Sequence, residues 1–324
     1  MKILHVVPGL RETGNGIAVA AKMISEEQGG ELLDCSDLST GRLRDGDYDE
    51  VWVHSMWLPQ TILVCWTVIR SGRKLVRMPH GCLDPVRLGY HGWKKRLIAP
   101  VERWIFRRTD RVVVTCVAER EWVRKYLGLG DCSDCSDCSI ERRWPEIQVT
   151  DLKRFFRLEG TEEGGKFEDE GEGRRRSLHL LYLGRRHPLK GVRFLERAVA
   201  QLQSEQSNNP NNRTIELRVV SDHFGAELEK DWEWCDVLCL PTLSENFGLV
   251  VAEALERGKR VVVTDGAPAW APPEAAEVKA RGEGEQWRDR IIYLRGYRDG
   301  TDEERVRLLK EGLRACDVEK GLLV

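Results

Sequence analysis

"DVLCLPTLSENFGLVVAEALERGKRVVVTD", residues 236–265, runs from a short apolar segment through a polar loop and a helix-forming segment into a second apolar segment. The outer segments are strand-sized and rich in Val, Leu and Cys. Between them, Gly248 to Arg257 reads as a helix, and Gly258 supplies its C-terminal stop. Strand, helix and strand in this order make a parallel pair, and a parallel sheet needs cover on both faces.

The alternation extends outward in both directions. "KILHVV", "YDEVWVHS", "KLVRMPHG", "RVVVTC" and "EIQVTD" alternate with the helical patterns "GIAVAAKMISEEQ", "QTILVCWTVIRS", "GWKKRLIAPVERWIFRRTD" and "VAEREWVRKYLG". Further on come "LHLLYLG", "VRFLERAVAQLQSEQ" and "IELRVVSD", and after the opening stretch an amphipathic "DEERVRLLKEGLRA". We therefore expect an α/β chain with one Rossmann-like domain over residues 1–150 and a second over 177–300. A Gly- and Glu-rich linker is expected at 151–176 and a C-terminal helix at 301–324.

With 324 residues, 41% hydrophobic and 32% charged, the chain is long enough for two cores. A net charge of −2 gives no reason to expect nucleic acid as partner, since phosphate-backbone binding shows as excess basic charge. "MKILHVVPGL" reads as a buried strand and not as a signal segment, and no apolar run approaches the roughly 20 residues that span a bilayer. These features predict a cytoplasmic protein. Cys65, Cys116, Cys235 and Cys239 lie inside apolar runs, as reduced buried thiols do.

Within an expected loop at 128–144, the repeat "DCSDCSDCS" brings Cys132, Cys135 and Cys138 to iron–sulfur spacing. A fourth thiolate of that pattern would fall on Arg142, so an expanded surface loop is the expected reading, with no metal and no cofactor required. A metal- or redox-linked protein built around this repeat stands as a rival.

Three loops follow strands, where ligands gather in parallel sheets. In "PGLRETGNGIAVAA", Gly14 and Gly16 allow close backbone approach, and a helix start faces an anion. The loop does not match a dinucleotide fingerprint, because Val19 stands where its third glycine belongs. In "YLGRRHPLKGVRFLERA", Arg185, Arg186, His187 and Lys190 precede a helix, where cations oppose the macrodipole unless an anion lies between them. In "PTLSENFGLVVAEALERG", the amides of Phe247, Gly248 and Leu249 are the orphan donors of a helix start. There Glu245 and Glu253 suit hydroxyl groups on either side of a bound anion, as carboxylates read ribose elsewhere.

These last two stretches, with "RMPHGCLDP" and the helix after it, resemble the retaining nucleotide-sugar glycosyltransferases of the large family four. The resemblance implies a GT-B fold of two Rossmann-like domains with parallel sheets facing across a cleft. It implies that Glu253 holds ribose and that Glu245 contacts the transferred sugar, with Asn246, Phe247, Gly248 and Leu249 assisting. Arg185 and Lys190 would grip the diphosphate, Gly14 and Gly16 would lie close to the donor phosphate, and His80 would meet the sugar near its reacting carbon. Transfer to a glycan or lipid-linked acceptor in envelope polysaccharide or lipopolysaccharide synthesis follows, with retention of anomeric configuration. Only a dozen or so residues separate "IELRVVSD" from "CDVLCLPT", so the second domain reads as shortened, and a non-catalytic sugar-nucleotide-binding relative is the alternative.

The segment "WKKRLIAPVERWIFRRTDR" sets Trp93, Leu97, Val101, Trp104 and Ile105 near helical spacing among basic residues. A Trp-bearing basic amphipathic helix can lie on an anionic membrane surface. The competing reading is a core helix with a charged outer face, interrupted at Pro100.

Overall fold

A computed structural model describes residues 1–38, 41, 43, 46–90, 92–129, 145–158, 177–206, 214–272 and 286–317. The chain divides into two compact units, Met1–Leu152 and Lys153–Val324.

The first unit carries six strands: β1 (Ile3–Val7), β2 (Glu31–Asp34), β3 (Glu50–His54), β4 (Lys74–Met78), β5 (Arg111–Val114) and β6 (Glu146–Val149). All pair in parallel, in the order β2-β1-β3-β4-β5-β6. Its helices are α1 (Gly16–Gln28), α2 (Pro59–Arg70), α3 (Pro85–Gly89), α4 (Gly92–Phe106) and α5 (Val117–Leu127). β1 and β3 are buried along their whole length, so both faces need apolar cover. On one face Leu4, Val6, Val51 and Val53 pack with Val64, Cys65 and Val68 of α2, and on the other Val7 packs with Ala18 and Ala21 of α1. The chain winds outward in opposite directions from β1 and β3, which makes the gap between their C-terminal ends a ligand-binding position in sheets of this kind.

α4 departs from the core-helix expectation. It runs unbroken through Pro100, and its buried residues are Glu102, Ile105 and Phe106. Trp93 is 63% exposed and Leu97 72%, while Val101 and Trp104 are also exposed. The reason lies in Glu102, whose carboxylate accepts from the Trp57 amide at 2.9 Å and pairs with the buried Arg77 at 3.1 Å. This polar anchor turns the helix so that much of its apolar stripe points outward.

The second unit carries β7 (Ser177–Leu183), β8 (Thr214–Val220), β9 (Val237–Leu240), β10 (Arg260–Thr264) and β11 (Ile291–Leu294) in the order β11-β10-β9-β7-β8, all parallel. Its helices are α6 (Val192–Gln206), α7 (Ala226–Trp234), α8 (Leu249–Glu256) and α9 (Asp302–Asp317). Leu180 and Tyr182 of β7, Phe194, Leu195 and Ala198 of α6, and Val306, Leu309 and Leu313 of α9 share one core. The C-terminal helix is thus an integral layer of this unit. The short connection from β8 to β9 contains α7 alone as an α-helix, leaving β8 at the sheet edge.

The first residues of the expected linker are folded. A 3-10 turn spans Leu152–Phe155, the Lys153 ammonium sits over the rings of Trp270 and Trp287, and Phe156 stacks on Phe247. The rest of that linker, 159–176, and Cys132, Cys135 and Cys138 lie outside the described residues.

Candidate active site

In the first unit the backbone after β3 and β4 is held in unusual conformations. Ser55 (φ 71°), Trp57 (φ 70°) and His80 (φ 53°) are its only described non-glycine residues with positive φ, and Gly81 follows at 71°. Such strain persists where surrounding contacts over-determine it, and it clusters at functional sites. The contacts are present here. Arg77 donates to the Ser55 carbonyl at 3.2 Å, and Glu102 holds the Trp57 amide. Buried Glu119 of α5 accepts from the Gly81 amide with one oxygen and from Thr115 with the other.

His80, expected at the end of β4, is buried and lies in a row of three imidazoles. His5 Nδ1 is 3.0 Å from His54 Nε2, and His54 Nδ1 is 2.8 Å from His80 Nε2. Trp52 stacks on His5, and His54 stacks on His80. Burial pushes His80 down to about 3, with the charge of Arg87 adding to the effect. Burial likewise lowers His5 to about 4, and the nearby Gln28 side chain offsets part of this without a hydrogen bond of normal geometry. His54 lies well below the usual imidazole value, from burial and then from its two neighbours. All three are neutral at physiological pH. Only His80 was predicted, although "ILHVV" and "WVHS" each carried a histidine in an expected strand. No local motif shows that three strands will align those rings.

Asn15 was also missed. It caps α1 by accepting from the Ile17 amide at 3.1 Å, and its amide group donates to the carbonyls of Pro8 and Gly9. This closes the loop around Gly14, which has φ 74°, and sets Gly16 as the first residue of α1.

In the second unit, the loops leaving β7 and β9 stand side by side where the strand order reverses. Leu243 N donates to Leu189 O at 2.8 Å, and Thr242 Oγ1 donates to the same carbonyl at 3.1 Å. Gly191 is required at this crossing, since a Cβ there would lie 1.8 Å from the Pro241 oxygen. The docked loops bring Lys190 onto the Glu245 carboxylate, and both side chains are mostly buried. Glu245 is further fixed by its amide, which donates to Gly266 O at 2.7 Å.

The four basic residues of the β7 loop separate. Arg186 pairs with Glu196 of α6 at 2.9 Å, and His187 Nδ1 accepts from the Leu189 amide at 3.2 Å. His187 is therefore a turn cap here. Lys190 faces Glu245, and Arg185 is exposed.

Gly248 takes φ 72° and opens α8 without a side-chain cap. Among the described residues, the amides of Phe247, Gly248 and Leu249 have no hydrogen-bond acceptor. Asn246 and Phe247 are buried; the Asn246 amide turns to the Glu245 carboxylate, and Trp270 Nε1 donates to the Phe247 carbonyl. Glu253, one turn on, is half-buried and its carboxylate has no hydrogen-bond partner among the described residues. Burial pushes its carboxyl above the usual range, with Arg257 opposing and Glu256 and Glu229 adding to the rise. A largely desolvated carboxylate beside open amides favours a ligand that brings hydroxyl donors and an anion together.

A family model described as a glycosyl transferase 4-like domain matches residues 9–131, and one described as glycosyl transferases group 1 matches residues 177–294. No curated protein matches the sequence. Among solved structures, sucrose-phosphate synthase from Thermosynechococcus elongatus is 12% identical with a TM-score of 0.61, over 98% of this chain and 90% of that one. HepE from Anabaena, in complex with UDP and glucose, is 14% identical with a TM-score of 0.52, over 98% and 95%. A trehalose-6-phosphate protein from E. coli, bound with UDP-2-fluoro glucose, is 11% identical with a TM-score of 0.58, over 99% and 92%. These likenesses show the GT-B fold.

Proposed function

The chain belongs to the glycosyltransferases, with a 4-like domain followed by a group 1 domain, and on that premise we propose that it moves a sugar from a nucleoside diphosphate sugar to a glycan or lipid-linked acceptor with retention of configuration. The observation that carries the proposal is the group around α8: a half-buried, unpartnered Glu253, three open amides, and the Lys190–Glu245 pair on the loop before them.

The chemistry fits these groups. Transfer builds positive character on the sugar carbon and negative charge on the leaving phosphate, so a cation and helix-start amides aimed at that phosphate lower the barrier. Lys190 and Arg185 would take the diphosphate, Glu253 the ribose diol, and Glu245, held by Lys190, a hydroxyl of the sugar. Gly14, Gly16 and Asn246 would give backbone approach, and His80 would meet the sugar near its reacting carbon. In a retaining route the departing phosphate accepts the proton of the attacking hydroxyl, so no separate carboxylate nucleophile is required, and neither is a metal. Solved relatives carrying UDP make a uridine diphosphate sugar the first donor to test.

Thermal-shift and hydrolysis assays with UDP-, GDP- and ADP-sugars test this reading. One nucleotide class should stabilise the wild type, and Glu253→Ala and Lys190→Ala should each erase the shift. Binding without turnover of any donor would favour the non-catalytic alternative, and no binding at all would remove both.

The acceptor side is supported by the surface of α4. Trp93, Leu97, Val101 and Trp104 are exposed beside Lys94, Arg96, Arg103, Arg107 and Arg108, and Leu63 and Trp66 of neighbouring α2 are exposed as well. Basic and aromatic groups so mixed suit the interface of an anionic membrane, where lipid-linked acceptors reside. No described helix is long and apolar enough to cross a membrane. Co-sedimentation with anionic but not zwitterionic vesicles, lost on Trp93→Glu with Leu97→Glu, is the expected result; equal indifference to both vesicles would end this reading of the acceptor.

A further inference from the structure

We propose that Trp270 is a positioning residue that locks the peptide between Phe247 and Gly248, so that the Gly248 N–H stays turned away from the indole as a donor to the diphosphate of the sugar nucleotide. The part concerning the diphosphate rests on the transfer reading above; the part concerning the peptide does not.

Glycine takes positive and negative φ with nearly equal ease, so the peptide before a glycine can turn over at little local cost. In a planar trans peptide the C=O and the N–H point to opposite sides, and turning it over exchanges them. Gly248 sits at φ 72° before α8, and among the described residues its N–H has no acceptor. No other residue could supply the restraint in its place. The left-handed φ disfavours a side chain, and a Cβ would lie 3.3 Å from both Glu245 Cγ and Leu240 Cδ2. The backbone is tied on either side of this peptide, where Glu245 N donates to Gly266 O at 2.7 Å and Val251 N donates to Gly248 O at 2.9 Å. Neither bond reaches the Phe247 carbonyl or the Gly248 N–H, so neither sets which way the peptide faces. Among the described residues, the one hydrogen bond that does so runs from Trp270 Nε1 to the Phe247 carbonyl. With that carbonyl drawn to the indole, the Gly248 N–H faces the other way. A turned-over peptide would offer an anion a carbonyl lone pair in place of a donor, and it would leave the buried indole N–H without its acceptor.

Trp270 is itself firmly held. It ends the 3-10 turn Pro268–Trp270 in the loop after β10 and is 2% exposed. Its ring lies 5.2 Å from that of Phe247 and meets Trp287 edge-on at 5.7 Å. The Lys153 ammonium stands 4.9 Å from the Trp270 ring and 5.0 Å from the Trp287 ring, and Phe156 stacks on Phe247. The loop after β10 is pressed onto the loop after β9, since a Cβ at Gly266 would lie 2.0 Å from the Thr242 oxygen. All of these contacts lie within the second unit. The indole therefore reaches the Phe247 carbonyl from a frame built during folding, and the Gly248 amide is oriented before any anion arrives.

The test replaces Trp270 in the full chain with benzothienylalanine, an isostere that carries sulfur where the indole has its N–H, and with Phe as a second variant, Trp270→Phe. The Gly248 amide is followed by NMR, and UDP binding by calorimetry. In the wild type Gly248 should give one amide resonance that moves downfield when UDP is added. In both variants that resonance should be doubled or broadened without ligand, and UDP should bind about tenfold more weakly, as when one charge-assisted hydrogen bond is loosened. If Trp270 only fills space, the isostere keeps the wild-type resonance and the wild-type affinity, and that result overturns the proposal. A wild-type resonance that is already doubled, or one that UDP binds without moving, overturns it as well. If the wild type binds no UDP, GDP or ADP, the transfer reading fails, while the ligand-free isostere spectrum still decides the peptide lock. If Trp270→Phe does not fold, the isostere decides both parts.

Discussion

The two units prepare their site groups in opposite ways. In the first, the groups around His80 are buried and joined to one another, on backbone held in the left-handed region. In the second, Lys190 and Glu245 are paired with each other, Glu253 is half-buried, and the helix start beside them keeps open donors. On the transfer reading proposed above, the difference matches what each would meet. A neutral hydroxyl-bearing sugar is best read by fixed neutral dipoles, whereas a diphosphate is best met by charge that remains available until it binds.

The strongest way to break this comparison is to attack the rigid side. Glu102→Ala leaves Arg77 buried without its carboxylate and frees the Trp57 amide, and should cost about 3–5 kcal/mol in urea unfolding of the first unit. A loss below 1 kcal/mol would mean that the strained turns do not depend on this anchor. On the charged side, Lys190→Ala should cost less stability than Glu102→Ala, because its pair is partly exposed, but should lower kcat/KM by about a hundredfold, roughly 3 kcal/mol of barrier. The same loss at an unaffected donor KM would place Lys190 on the leaving group in the transition state alone.

Acid should separate the two units further. The three histidines titrate near 6.5 when unfolded, but His5 is held to about 4, His80 to about 3, and His54 well below its usual value. Below pH 6.5 the unfolded chain therefore takes up protons that the folded chain refuses. Stability falls as pH drops, by up to roughly 1.4 kcal/mol per histidine per pH unit until the folded values are reached. Unfolding between pH 6.5 and 4.5 should show this slope, and His5→Phe should make it shallower.

The smallest effect sharpens the contrast. The carboxyl of Glu253 is raised by burial, so its ionised form is disfavoured and stability is lost as pH rises through the folded value. Glu253→Gln should raise the Tm of the ligand-free protein slightly, on the order of a degree or two, while removing stabilisation by nucleotide sugar. A lower Tm would show instead that Glu253 has a structural partner.

Much of the second site was legible because its residues are close in sequence and obey local rules. Gly248 marks a helix start, Glu245 and Glu253 bracket it, and Lys190 sits before a helix. The first site was legible only at His80. His5, His54 and Glu119 come from two strands and a helix far apart in the chain, and their meaning arises from contact. The sequence left two readings of α4 open for the same kind of reason: an apolar stripe suits burial or an outward surface until a carboxylate on its opposite side is anchored inside.

The sequence alone determined the alternation of strand and helix, hence parallel sheets, because period and turn chemistry act over a few residues. Strand order, the meeting of Lys190 with Glu245, and the row of three imidazoles were decided by tertiary structure. Those depend on which distant strands become neighbours, and that choice belongs to the packing of whole layers.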